Sequence, residues 1–143
     1  MHTSDNSMVF KHVLDALIYI SSRKTTLDHA VSTMNNIIKQ LENKYDFLKH
    51  VEVNDTRFIE QDESISVMRD LNDIKSNKLG DALYDIIRTM KIALGKDAGY
   101  FFIKELKNNL QDSYSTSFED MGLDLGLMQL EYEIKELTKN IQK

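Results

Sequence analysis

Apolar residues recur at steps of three and four through most of the chain, the period of amphipathic helices. Residues 77–110 show it most plainly. Leu79, Leu83, Ile86, Ile87, Met90 and Leu94 form one stripe, with Asp81, Asp85, Arg88 and Lys91 on other faces, and Phe102, Ile103, Leu106 and Leu110 form a second. Gly95 stands between them, and glycine takes the left-handed conformation of a helix end without steric cost. The stretch therefore predicts two helices meeting at a tight corner, with Asp97 accepting from the free N–H groups of the second. Tyr100 and Phe101 beside the second stripe make this corner the largest aromatic cluster in the chain.

Upstream, Val9, Phe10, Val13, Leu14, Leu17 and Ile18 predict a helix over about residues 7–22. A link at 23–26 follows, in which Thr25 and Asp28 have the spacing of a capping box. Leu27, Ala30, Val31, Met34, Ile37, Ile38, Leu41, Tyr45 and Leu48 then hold the helical period to the vicinity of Lys49, a rod on the order of 33 Å long. Between 50 and 61 the period changes. Val51, Val53 and Phe58 alternate with polar residues and Asn54-Asp55 suits a tight turn, so this segment is either a short β-hairpin or an irregular acidic loop. A third helix is expected from Asp62 or Ser64 through Ile65, Val67, Met68, Leu71 and Ile74.

After Leu110, residues 111–117 (QDSYSTS) read as a turn, with capping-box spacing in Thr116/Glu119 and Ser117/Asp120. The last helix, about residues 118–142, carries two stripes. Leu123, Leu127, Leu130, Ile134, Leu137 and Ile141 alternate steps of four and three, a heptad seam. Met121, Leu125, Met128 and Tyr132 cover the adjoining face, and that second stripe stops halfway along the helix. The first half is thus expected to be enclosed by the protein's own bundle, and the second to present one seam to a neighbour.

Composition adds support without changing this picture. In 143 residues there are no prolines and only five glycines, which suits long helices joined by polar turns. The chain is short enough to be one domain. Zero cysteines remove disulfides, thiolate metal sites and a thiol nucleophile. The N-terminus has no basic stretch followed by an apolar run, and the first apolar run, residues 16–20, is far short of the roughly twenty residues that cross a bilayer. A cytoplasmic protein with no membrane association is expected. Net charge is −5 and the basic residues are scattered singly, so nucleic acid is a disfavoured partner.

Residues that carry chemistry are sparse. His2, His12, His29 and His50 lie on different elements. His12 and Asp15, one helical turn apart, read as a surface pair and not as metal ligands. The acidic run Asp55, Glu60, Asp62, Glu63 lacks the central glycine and alternating oxygen ligands of a calcium loop. The glycine pairs 95/99 and 122/126 read as helix ends or close helix approach. There is no phosphate-cradling glycine loop, nucleophile elbow or kinase motif. No catalytic residue, metal or cofactor is expected.

The sequence predicts an all-α fold: a helical bundle of five to six helices in a single domain over residues 1–143, its C-terminal helix partly a coiled-coil-like oligomerisation element. The expected function is that of a non-catalytic regulatory or interaction protein that self-associates, as a dimer, with Leu130, Ile134, Leu137 and Ile141 at the interface. Glu131 and Glu133 beside that seam favour antiparallel pairing, or a protein partner with basic flanks. Two alternatives stand beside it. One is a ligand-sensing domain with an apolar pocket or partner patch near Met90, Tyr100 and Phe101. The other is a DNA-binding transcriptional regulator whose third and fourth helices form the reading pair.

Overall fold

The computed structural model describes residues 6–53, 65–67 and 69–141, some of them by backbone alone. It is an all-α bundle of five helices, α1 (Asn6–Lys24), α2 (Leu27–Leu41), α3 (Ser76–Leu94), α4 (Lys96–Met121) and α5 (Leu125–Ile141), with a two-stranded ribbon of β1 (Val51–Val53) and β2 (Ile65–Val67) between α2 and α3. No described helix is long and apolar enough to cross a membrane.

The centre of the molecule is α1. It packs against α2, α3, α4 and β2, because its apolar residues cover more than one face: Val9, Phe10, Val13, Leu14, Leu17, Ile18 and Ile20 are all buried. Its first turn is closed by side chains from far along the chain. The Ser7 N–H donates to Asn72 Oδ1 at 2.8 Å, and Asn6 Nδ2 donates to Ser76 Oγ at 3.1 Å, which satisfies one of the N–H groups that every helix start leaves open.

The 77–110 hairpin forms, with Gly95 at φ 87° between α3 and α4, a region closed to residues with a Cβ; Gly95 itself is the N-cap of α4, with no side-chain cap bond, and the expected cap Asp97 lies inside the helix. α3 and α4 also meet at their far ends. A Cβ placed on Gly80 would lie 1.9 Å from the Met121 carbonyl oxygen, so the bare backbone of α3 seats directly against the last turn of α4. That turn ends in a left-handed Gly122 at φ 71°, whose N–H bonds Glu119 O at 3.1 Å while the Leu123 N–H bonds Phe118 O at 2.8 Å, a double closure of the helix C-terminus.

Several boundaries differ from those the sequence suggests. α2 stops at Leu41, and Asp46–His50 is a short 3-10 helix. The N-cap of α2 is Thr26, which accepts from the His29 N–H at 3.1 Å, whereas Thr25 donates back to Ser21 O to close α1. Ile65–Val67 is a strand and Arg69–Asp73 a 3-10 helix, in place of the expected third helix. Ile65 is fully buried, and β2 is held by antiparallel pairing of Val51 with Val67 and Val53 with Ile65. A two-stranded ribbon is marginal alone, and this one rests on α1 and α2. The suggested turn at Asn54-Asp55, the strand residue Phe58 and the acidic run 55–63 lie outside the described residues.

The 111–117 turn does not separate two helices. α4 runs through it with one non-helical residue, Tyr114 at φ −128° and ψ 19°, and Thr116 and Ser117 lie inside the helix instead of capping the next. The Tyr114 hydroxyl meets His12 Nδ1 of α1, and its ring lies 6.1 Å from that of Phe118. The kink thus sits where α4 crosses α1. The cap of α5 is Asp124, whose carboxylate accepts from the Leu127 N–H at 2.9 Å.

Candidate functional site

The two stripes expected over residues 118–142 have opposite fates, and Met121 ends α4 and does not belong to α5. Met121, Leu123, Leu125 and Met128 are buried, and the Tyr132 ring carries the Lys91 ammonium 4.0 Å from its centre, joining α5 to α3. The heptad seam faces outward. Leu127 is 51% exposed, Leu130 52%, Ile134 53% and Leu137 62%. These are four large aliphatic side chains in steps of three and four on one helix, each keeping half its surface in water. Leu123, the first of the heptad series, belongs to the core and not to the seam, because it lies in the turn before α5. The side chain of Ile141 is outside the described residues.

Scattered exposed leucines are ordinary on protein surfaces, but a contiguous apolar strip is not. Polar neighbours bound this one. Gln129 Nε2 reaches Glu133 Oε1 at 3.5 Å, and Thr138 Oγ1 bonds Ile134 O at 2.9 Å.

At the aromatic corner, Met90 is fully buried, as are Phe102 and Ile103. Met90 therefore belongs to the core of the bundle. Tyr100 and Phe101 lie within α4, their side chains outside the described residues.

A second constellation was not visible in the sequence. It lies where the segment after α2 folds over α3. Asp85 accepts from the Tyr45 hydroxyl at 2.6 Å and from Lys44 Nζ at 2.9 Å. Burial works to raise the Asp85 carboxyl, but the bonds from Tyr45 and Lys44 outweigh it and hold the group below the usual carboxylate range. Tyr45 is pushed above the ordinary phenol range, first by burial and then by its bond to Asp85. Tyr45 in turn packs on Phe47, ring centres 5.9 Å apart, and Phe47 meets the buried Phe10 edge-on at 6.4 Å. Beside this wall is a cleft of about 550 Å³ between the two 3-10 helices and the start of α3. His50 and Asp70 pair at its edge at 2.7 Å. The bonds to Asp85 from Tyr45 and Lys44 join residues 40 and 41 positions apart, and no local spacing announces them.

The sign of the pH dependence follows from the two shifts. A carboxyl held low in the folded state contributes stability above about pH 4 that is lost as pH falls through the folded value. A phenol held high contributes below about pH 10 and loses it above. Tyr45→Phe is expected to cost about 1.5 kcal/mol at pH 7, the scale of a hydrogen bond to a charged group. Urea denaturation should show that difference shrinking as pH drops below about 4; a difference that is constant with pH would mean the hydroxyl does not support the carboxylate.

Among the described residues, no group of three histidine, aspartate or glutamate side chains is placed to hold a metal ion. No family model matches the chain, and comparisons with curated proteins and with solved structures find no match either.

Proposed function

We propose that this is a helical interaction protein that self-associates through the outer face of α5 into an antiparallel dimer. One observation carries the reading: Leu127, Leu130, Ile134 and Leu137 form a heptad seam that the subunit's own bundle leaves half exposed, while the other stripe of the same helix is used internally. A seam of this kind is complementary to a copy of itself, as a two-fold interface requires.

Charge supports the orientation. Along α5 the sequence sets Glu131 and Glu133 beside the seam, followed by Lys135, Glu136 and Lys139. Parallel pairing would set Glu131 and Glu133 beside their own equivalents across the seam, like charge against like.

Magnitudes support a reversible dimer. Fully burying a Leu or Ile is worth about 1.5–3 kcal/mol, so covering the exposed half of each gives about 1 kcal/mol. Four residues on each of two chains give about 8 kcal/mol, against an association cost of about 4–15 kcal/mol. The balance is about 4 kcal/mol at best, which corresponds to millimolar affinity or weaker. Sedimentation velocity is expected to show the mean mass rising above 16.6 kDa as concentration climbs from about 1 μM toward 1 mM. A mass that stays at the single-chain value across that range would refute the reading.

A further inference from the structure

The cleft beside Tyr45 has the size of a small-molecule site, at about 550 Å³. It also has one apolar wall, made of Tyr45, Phe47 and Ile74, with Phe47 fixed from behind by Phe10. Its charged groups are not equivalent. Lys44 is engaged by Asp85, Asp46 by Lys49 and Asp70 by His50. Lys78 and Asp81, which also line the cleft, have no ion pair among the described residues. They stand three positions apart on α3, so their side chains project from neighbouring places on one helix face. Among the described residues the cleft thus presents, side by side, a cation and an anion without an ion-pair partner and an aromatic-aliphatic surface.

We propose that this cleft binds a zwitterionic small molecule with an apolar body, namely an α-amino acid bearing an aromatic or large aliphatic side chain. Lys78 takes the carboxylate and Asp81 the ammonium, and the side chain lies against Tyr45, Phe47 and Ile74. A ligand with only one of the two charges leaves either Lys78 or Asp81 unmatched and is held less tightly.

Titration of the ¹⁵N-labelled full chain with L-phenylalanine, followed by amide shifts, tests the assignment, with phenethylamine and 3-phenylpropionate as single-charge probes. Saturable shifts confined to residues 44–50, 70–74 and 78–81 are expected with phenylalanine. Binding should weaken about tenfold for either single-charge probe, and by a similar factor in Lys78→Met and in Asp81→Asn. Both residues are exposed, so neither replacement threatens folding. Absence of shifts at millimolar phenylalanine, equal binding of phenethylamine, or binding unchanged in both variants would overturn the proposal.

Discussion

Gly80→Ala is expected to destabilise the protein by about 3 kcal/mol, the upper range for forcing extra atoms into a packed interior. Helix propensity alone predicts the opposite sign, since alanine is better than glycine inside a helix by about 1 kcal/mol. Packing wins because of what the new methyl group would meet: the Met121 carbonyl oxygen at 1.9 Å, its carbonyl carbon at 2.8 Å and its Cβ at 2.9 Å. Two of these are backbone atoms, so no side-chain rotation relieves the overlap. The last turn of α4 is also pinned by Gly122 and by the Leu123 N–H bond to Phe118 O, so α3 and α4 must move apart. For a chain of this size the loss corresponds to a fall in Tm of roughly 10 °C. Urea and thermal denaturation followed by circular dichroism measure it. A variant as stable as the parent would show that the two helices do not close on each other at this point.

Gly80 also shows where the sequence stops being informative. Gly95 announces itself because it follows a completed apolar stripe, whereas Gly122, the C-cap of α4, lies within residues 118–142, which read as one helix. Gly80 sits inside a stripe, and only the position of a neighbouring helix explains it. α1 and α3 were legible because their stripes are long and unambiguous. The end of α2 was misread because Tyr45 and Leu48 keep the helical spacing while the chain has already left the helix for a 3-10 turn.

Residues 65–67 were misread for a related reason. Ile65 and Val67 fit either period, and the choice is made by pairing with Val53 and Val51, which local pattern cannot weigh. In residues 111–117 the turn-forming composition was real, but Leu110, Phe118 and Met121 are all buried and draw the backbone on as helix, so the signal survives only as the break at Tyr114. The candidate seam was legible because two stripes on one helix are a property of the helix alone. The Lys44–Tyr45–Asp85 cluster and the cleft were not, since they exist only once the chain has folded back on itself.

Leu130→Asp with Ile134→Asp is expected to abolish association while leaving the subunit folded. Both side chains already keep half their surface in water, at 52% and 53%, so replacing them forfeits about 1 kcal/mol each from the covered half, a loss that a domain stable by about 5–15 kcal/mol survives. At a dimer seam the same carboxylates would be buried facing apolar side chains and their own symmetry mates, a cost of several kcal/mol that a weak dimer does not survive. As a control, Met128→Asp strikes the inner stripe, where the residue is only 6% exposed, and should lower stability.

Light scattering on parent and Leu130→Asp/Ile134→Asp samples, eluted from a sizing column at matched high concentration, tests the outward seam most directly. The parent should scatter with a mass above 16.6 kDa that falls on dilution, and the variant should remain at 16.6 kDa with an unchanged circular dichroism spectrum. Identical masses for the two proteins at every concentration would contradict the assignment of α5 as an interface.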